Sequence, residues 1–194
     1  MNRCPWCVND PLYVEYHDKE WGVPVFEDQK QFEFLVLESA QAGLSWLTIL
    51  KRRENYREAY NQFDPVKVAK YDDKKFEELM NNPGIIRNRK KIEASINNAR
   101  EFLKVVDEFG SFSNYLWGYV DRRPIVNHFT EISQVPATTE LSERISKDMK
   151  KRGFKFLGPV IIYAHLQAVG LVNDHITSCY RYNEINEAFK DIIK

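Results

Sequence analysis

Two pairs of residues that could bind a metal ion lie near opposite ends of the 194-residue chain. Cys4 and His17 form the first pair, and His175 and Cys179 form the second. On a helix, the two members of the second pair would face the same way, because they are four residues apart. Two thiolates and two imidazoles complete a tetrahedral set for Zn²⁺ and leave no position for a catalytic water. A closed site of this kind would be structural and would clamp the two ends together.

Cys7 leaves this assignment open, because Cys4 and Cys7 also form a C-x-x-C pair. Such spacing permits redox chemistry, although no βαβ pattern surrounds the pair in this sequence. His175 and Cys179 would also fit as packed side chains of a core helix. Three cysteines are too few for a disulfide framework, so metal binding or a buried thiol is the better interpretation.

Glu38 is the only charged residue between Phe34 and Leu50, a stretch that is otherwise apolar or uncharged. An unpaired carboxylate is costly to bury, so such a group is usually paired or functional. Aromatic residues accompany it in the sequence: Trp6, Tyr13, Tyr16, Trp21 and Trp46. Aromatic faces beside one carboxylate suit a cationic or electron-poor base, through stacking and cation–π attraction. The alternative is a helix-surface glutamate with aromatic residues in the core.

The segment at about 150–160 contains a second kind of candidate contact to nucleic acid. Gly153 and Gly158 allow a sharp turn and a close approach to another molecule, and Lys155 lies between them. The exposed amides at the start of the next helix form a natural phosphate site. Such a hairpin would position the protein on DNA without reading its sequence. The alternative is an ordinary helix connection in which glycine serves only as a cap.

The elements that must position these residues are predicted to be helical, because apolar residues recur at helical spacing and strand alternation is scarce. Asp28 and Gln31 have the spacing of a capping box at the start of one helix. Further predicted helices run from Trp46 to about Tyr60, from Arg87 to Val106, from Leu116 to Val120, from Glu140 to Lys151 and from Pro159 to Val169. We expect a connecting segment at 121–139 and an all-α fold. Residues 1–194 would form a single unit of two interleaved helical lobes.

Composition limits the partners of the protein. Lys plus Arg equals Asp plus Glu at 28 each, which excludes a uniformly basic surface. Contacts to DNA would therefore come from local basic clusters such as 51–53, 87–91 and 147–155. No apolar run approaches the roughly 18 residues of a membrane span. The first residues also lack the apolar stretch of a secretory signal, so we expect a soluble, cytoplasmic protein without a membrane partner.

Taken together, the chain resembles the bacterial 3-methyladenine DNA glycosylase I family. The resemblance is carried by Arg3 and Cys4 and by the strings DPLYVEYHDKEWGVP (10–24), LESAQAGLSWLTILKRRENYREAYNQFDP (37–65), GIIRNRKKI (84–92), KKRGFKFLGPVIIY (150–163) and GLVNDHITSC (170–179). Residues 182–194 carry no part of it. The resemblance implies a helix-hairpin-helix DNA glycosylase fold. It also implies base-excision repair by monofunctional hydrolysis of the N-glycosidic bond, which releases 3-methyladenine from alkylated double-stranded DNA.

The resemblance also implies roles for individual residues. It implies one structural Zn²⁺ per chain, bound by Cys4, His17, His175 and Cys179 and not by Cys7. Glu38 is implied as the catalytic residue of a base pocket that Tyr16 and Trp46 line, with Trp6, Tyr13 and Trp21 close by. The turn of Gln41, Ala42, Gly43 and Leu44 would fill the gap in the duplex. The hairpin residues Gly153, Lys155 and Gly158 would contact DNA, and a monomer without an obligate protein partner is expected.

One departure concerns the wider helix-hairpin-helix superfamily, in which many members carry an aspartate in a Val-Asp-x-His string. Here Asn173 occupies the place of the aspartate, and Asp174 lies one residue further on. Which of the two aids catalysis stays open. A non-catalytic DNA-binding protein and a zinc-dependent hydrolase or deaminase are the alternative functions. The deaminase would need an H-x-E motif before its C-x-x-C pair, and none precedes Cys4.

Overall fold

The computed structural model describes residues 2–192, and helices dominate that part of the chain. The α-helices found there are α1 (Pro11–Lys19), α2 (Asp28–Gln41), α3 (Trp46–Leu50), α4 (Arg53–Ala59), α5 (Pro65–Val68), α6 (Asp73–Asn81), α7 (Arg89–Phe109), α8 (Phe112–Gly118), α9 (Glu140–Lys151), α10 (Pro159–Ala168) and α11 (Tyr180–Ile192). Two short parallel strands, β1 (Ile125–Val126) and β2 (Val172–Asn173), pair Ile125 with Val172. The predicted all-α class is confirmed. No helix in this part of the chain has the length and apolarity to cross a membrane.

Helix α2 is the centre of the fold and buries ten consecutive residues, from Gln31 to Ala40. It packs against α3, α7, α8 and α10, so its polar side chains are surrounded by protein and need partners there. Gln31 donates to the Val25 carbonyl oxygen at 2.7 Å and pairs with His165 at 2.9 Å. Glu33 accepts from the Arg53 guanidinium at 2.6 Å. Burial of this helix on all sides explains why Glu38 is the only charged residue between Phe34 and Leu50.

The capping box predicted from Asp28 and Gln31 does not form, and the prediction was wrong. Glu27 occupies the cap position of α2 and makes no side-chain hydrogen bond there. The Asp28 carboxylate instead accepts from the backbone N–H groups of Phe112 and Ser113, at 3.1 and 3.0 Å. Asp28 therefore stabilises the start of α8, and tertiary partners have replaced the local pairing.

The helix predicted from Trp46 to about Tyr60 is interrupted, so this prediction was also wrong in detail. Helix α3 ends at Leu50, and α4 begins at Arg53. The break accompanies a buried ion pair, because Arg53 binds Glu20 at 2.7 Å as well as Glu33 at 2.6 Å. The other predicted helices are present, with ends that differ by a few residues.

Helices α9 and α10 are joined by the predicted hairpin, which spans 152–158. Gly153 has a φ of +100°, a value that side-chain-bearing residues rarely adopt. Asn98 of α7 fixes the hairpin, since it accepts from the Lys155 N–H and donates to the Lys155 carbonyl oxygen, both at 2.8 Å. Phe154 and Leu157 are buried beneath it. The hairpin is thus a rigid part of the helical core.

The C-terminal helix α11 was not predicted, although the sequence contained a signal for it. Tyr182, Ile185 and Phe189 recur at helical spacing, and all three are buried. Asn173 donates to the Tyr182 carbonyl oxygen at 3.1 Å and to the Asn186 side chain at 2.8 Å. The segment outside the resemblance is therefore packed on β2. Residues 193 and 194 lie outside the described residues.

Candidate functional site: an aromatic pocket beside a metal-binding cluster

Cys4, His17, His175 and Cys179 are all buried, and their ligand atoms lie within 4.8 Å of one another. The Cys179 sulfur is 3.4 Å from His17 Nε2 and 3.6 Å from His175 Nδ1. The Cys4 sulfur is also 3.6 Å from His175 Nδ1. Tetrahedral zinc with ordinary Zn–S and Zn–N bonds separates sulfur from nitrogen by about 3.6 Å. Both the donor set and the spacing therefore fit such an ion.

The remaining ring nitrogens of the two histidines already have partners. His17 Nδ1 lies 2.8 Å from the Asp18 carboxylate, which also binds Arg3 at 2.9 Å. His175 Nε2 lies 3.1 Å from the Trp21 carbonyl oxygen. Burial would raise the pKa of Asp18, but the hydrogen bonds from Arg3 and His17 lower it below its ordinary value. These contacts leave His17 Nε2 and His175 Nδ1 to face the cluster, as in most histidine metal sites.

Two sequence expectations about the cluster are resolved by the geometry. Cys7 is not a member of the cluster, because its thiol donates to the Cys4 carbonyl oxygen at 3.2 Å. The helix considered for His175 and Cys179 does not form, and the two residues lie in a turn between β2 and α11. The Thr177 N–H donates to the Phe129 carbonyl oxygen at 2.8 Å, so this backbone group pairs with a distant segment and not within a helix. The turn, and not a helix, brings the imidazole and the thiol together.

Next to the cluster lies a cavity of about 210 Å³ whose wall is largely aromatic. Its lining residues are Trp6, Tyr13, Tyr16, Trp21, Glu38, Gln41, Trp46, Ile132, Val135, Ala164, Gln167 and Asp174. Ring centroids are 4.9 Å apart for Trp6 and Tyr13 and 5.4 Å apart for Tyr16 and Trp46. The structure therefore brings together all five aromatic residues and the carboxylate that the sequence suggested for one pocket.

Glu38 differs from Glu33, the other buried acid of α2, in having no partner in the described part of the chain. Its side chain makes no hydrogen bond or ion pair within residues 2–192, and burial alone raises its pKa to about 8. Trp46 Nε1 is also buried and has no acceptor in the described part of the chain. The cavity is thus lined by two residues, Glu38 and Trp46, whose polar groups have no protein partner in the described part of the chain. Unpaired polar groups in a concave apolar pocket are typical of a binding site.

Comparison with known proteins identifies the family. Residues 6–182 match the family model described as methyladenine glycosylase. The chain belongs to the methyladenine glycosylase family. DNA-3-methyladenine glycosylase 1 of Escherichia coli strain K12 is 50% identical over 182 residues, which are 94% of this chain and 97% of the relative. The predicted family and enzyme class are confirmed.

Solved structures agree with this assignment. The structure that describes 3-methyladenine recognition by 3-methyladenine DNA glycosylase I from Staphylococcus aureus is similar at a TM-score of 0.89 and 43% identity. The match covers 93% of this chain and 96% of that one. A variant of 3-methyladenine DNA glycosylase I in complex with 3-methyladenine also matches, with a TM-score of 0.89, 42% identity and coverage of 93% and 97%. The predicted glycosylase fold is therefore confirmed.

Several residues that line the cavity were not predicted from the sequence to do so. Ala164 and Gln167 come from α10, and Ile132 and Val135 come from the segment predicted to be only a connection. Asp174 was singled out because it lies one residue beyond the aspartate position of the superfamily string, and it does line the pocket. Its carboxylate accepts three hydrogen bonds: from Asn127 at 2.6 Å, from Tyr163 at 2.5 Å and from Gln167 at 2.8 Å. Asn173, by contrast, does not line the cavity and supports α11.

The residues predicted to contact DNA fall into two groups. Gln41 lines the pocket, and Gly43 and Leu44 follow it in the turn between α2 and α3. Leu44 is 41% exposed, so its side chain is accessible to another molecule. Gly153, Lys155 and Gly158 all lie in the hairpin, and none of the three lines the pocket. Their contacts to DNA remain predictions.

Proposed function

We propose that the protein releases 3-methyladenine from alkylated double-stranded DNA by hydrolysis of the N-glycosidic bond. The observation that carries the proposal is the unpartnered carboxyl group of Glu38 inside an aromatic cavity. Methylation at N3 gives adenine a positive charge, and a cation is the ligand that would favour ionised Glu38. Relatives that share the fold are described as 3-methyladenine glycosylases, which supports this choice of base.

In the proposed complex, the base enters the cavity after leaving the base stack. Removing a nucleotide from the duplex costs a few kcal/mol and is easier for a damaged pair. Trp46 and Tyr13 would sandwich the base, while Glu38 and Tyr16 would read its edge. A positively charged ring gains cation–π energy between such faces, in addition to stacking of roughly 1–3 kcal/mol per base. An uncharged adenine would gain stacking energy but no cation–π energy, and it would leave ionised Glu38 without a counter-charge.

The chemical step needs little from the protein, because the methylated base departs as a neutral molecule. No general acid has to protonate it. The carboxylate of Glu38 would stabilise the positive charge as it shifts while the bond breaks. Water would then attack C1′ of the resulting sugar cation and release a proton to solvent, so that a C1′–O bond replaces the C1′–N bond. No lysine is placed as a nucleophile in this scheme, so we expect hydrolysis without strand cleavage.

Contacts outside the cavity would hold the duplex. Leu44 would occupy the space that the flipped nucleotide vacates, since it is exposed immediately beside the pocket residue Gln41. The hairpin of Gly153, Lys155 and Gly158 would bind phosphate through backbone amides at the start of α10. These contacts carry no sequence information, as a repair enzyme that acts anywhere in the genome requires.

We also propose that the cluster of Cys4, His17, His175 and Cys179 holds one structural Zn²⁺ per chain. Two thiolates and two imidazoles at tetrahedral spacing support zinc, and four protein ligands leave no position for a reacting water. The ion would supply a cross-link between two distant parts of the chain and would take no part in the reaction.

Single-turnover excision from a duplex that contains 3-methyladenine tests the role of Glu38. We expect Glu38→Gln to lower the rate about 10²-fold and Glu38→Ala to lower it further, a range typical of removing one preorganised electrostatic group. Affinity for the free base should fall in parallel. Glu58→Gln is a matched control, because Glu58 is an exposed glutamate remote in sequence from every pocket residue. Wild-type rates and base affinity in Glu38→Ala would contradict the proposal.

A further inference from the structure

Lys91 belongs to the basic run 87–91, yet its side chain is directed into the protein. Its ammonium group donates to the carbonyl oxygens of Ala40 at 2.9 Å and Ala42 at 2.6 Å. Its neighbour Lys90 is exposed and forms no ion pair within the described residues. Lys91 therefore joins the first turn of α7 to the last turn of α2, and it is not one of the free surface cations of that run.

The location of Lys91 is unfavourable within its own helix. A cation in the first turn of α7 faces the positive end of that helix dipole, and burial lowers the pKa of Lys91. The end of α2 offers the opposite environment, with unpaired carbonyl groups and the negative end of a dipole. The position of Lys91 is thus explained by its hydrogen bonds to the carbonyl oxygens at the end of α2.

The oxygens that Lys91 binds belong to a tight turn. Ala42 has φ −43° and ψ 116°, Gly43 has φ +81°, and the Leu44 N–H donates to the Gln41 carbonyl oxygen at 2.6 Å. These values define a type II β-turn, whose third position requires a positive φ and therefore favours glycine. A type II turn differs from a type I turn by rotation of its central peptide, whose oxygen is that of Ala42. Lys91 binds this oxygen and so selects the type II form.

The turn connects the two sides of the pocket. Gln41 lines the cavity before the turn, and Trp46 lines it at the start of α3. Ser45 fixes the exit, because its hydroxyl accepts from the Thr48 N–H at 3.2 Å. With both ends held, the orientation of the central peptide decides where the exposed Leu44 side chain is presented.

We infer that Lys91 is a positioning residue for engagement of the duplex. It holds the turn of 41–44 in the form that presents Leu44 beside the pocket, and it contributes nothing to recognition of the free base. This inference rests on the proposed function, in which Leu44 fills the space of the flipped nucleotide.

The test compares Lys91→Met with Lys90→Met, which removes the same charge from the same run without touching the turn. Single-turnover excision from duplex DNA should fall tenfold or more in Lys91→Met, whereas Lys90→Met should show at most the smaller, salt-dependent loss of one surface phosphate contact. Affinity for free 3-methyladenine, which also reports correct folding, should stay within about twofold in both. In the double variant with Leu44→Ala, the Lys91 substitution should add no further loss, because the two residues act through one step.

Salt dependence separates this role from a phosphate contact. Loss of one phosphate contact would reduce the slope of log affinity against log salt concentration by about 0.9. The slope of Lys91→Met should match that of wild type. A reduced slope, losses that multiply with those of Leu44→Ala, or equal effects of the two lysine substitutions would overturn the inference. A wild-type protein that releases no 3-methyladenine would contradict the proposed function, whereas these results with an active wild type contradict only the role of Lys91.

Discussion

The cluster of two cysteines and two histidines lies next to the aromatic pocket, and the two regions differ in whether their polar groups have partners. In the cluster, His17 and His175 each have a partner for the ring nitrogen that faces away from the ligands. In the pocket, Glu38 and Trp46 Nε1 have no partner among residues 2–192. All four side chains are buried, so the difference is not one of surface exposure. Paired outward nitrogens are typical of a structural region, and unpartnered polar groups that line a cavity are typical of a ligand site.

Trp21 forms the boundary between the two regions. Its ring lines the pocket and lies 4.6 Å from the His175 ring, while its carbonyl oxygen pairs with the same histidine. The next residue, Gly22, has a φ of +80°, and a Cβ atom there would lie only 3.1 Å from His175 Nε2. The pocket wall is therefore held in place by the cluster.

The largest expected effect comes from breaking the paired region. Cys179→Ala should abolish stoichiometric metal binding and lower the melting temperature by about 10 °C or more, because metal-binding energy is folding energy in such sites. Elemental analysis and thermal denaturation measure the two effects. Cys7→Ala is the matched control, since Cys7 is equally buried but outside the cluster, and it should keep the metal. One metal ion per chain in Cys179→Ala would show that the assigned ligand set is wrong.

Two buried tryptophans allow an indole N–H that has an acceptor to be compared with one that has none. Trp117 Nε1 donates to the Val25 carbonyl oxygen at 3.2 Å, whereas Trp46 Nε1 has no acceptor within the described chain. Trp117→Phe should lower the free energy of unfolding by about 1–3 kcal/mol and leave base affinity unchanged. Trp46→Phe should lower the affinity for free 3-methyladenine about three- to tenfold, with a smaller loss of stability than in Trp117→Phe, because it breaks no hydrogen bond within the protein. Equal stability losses in the two variants, with unchanged base affinity, would show that Trp46 Nε1 is not reserved for a ligand.

The smallest effect concerns the pH dependence of stability. The pKa of Glu38 rises from 4.5 to about 8 in the folded protein, so between these values the unfolded chain loses a proton that the folded chain keeps. Stability therefore falls as the pH rises through this window. Burial keeps the neighbouring Tyr13 and Tyr16 neutral, because it raises the pKa of both.

Glu38→Gln removes this titration. Relative to wild type, its melting temperature should rise by a few degrees between pH 5 and pH 8. Thermal melts at three pH values would measure the change, with Glu58→Gln as the exposed control. A difference between Glu38→Gln and wild type that does not vary with pH would show that Glu38 is ionised throughout.

Residue types alone predicted much of the site. The two cysteines and two histidines, and the five aromatic residues around Glu38, were candidates by type, and the family resemblance selected them over the other uses that the residues alone left open. Their convergence is now observed, while the roles assigned to them stay predictions. The contributions of Ala164, Gln167, Ile132 and Val135 were not predictable, because ordinary side chains acquire a role only through tertiary packing.

The same limit explains the errors in the predicted elements. Asp28 and Gln31 have the spacing of a local cap, but each side chain found a partner elsewhere in the fold. Lys91 cannot be distinguished by sequence from the exposed Lys90 before it. Only the fold shows that Lys91 contacts the end of α2. Spacing predicts which residues can meet locally, and it does not reveal which distant partner competes for them.

The cluster also has a consequence for the order in which the protein matures during synthesis. Cys4 and His175 are neighbours in space although 171 positions separate them in the chain. The ribosome releases His175 and Cys179 long after Trp6 and Trp21. The wall that these tryptophans form therefore lacks its contact with His175 during most of translation. A nascent chain can therefore complete this wall of the cavity only after His175 and Cys179 have emerged.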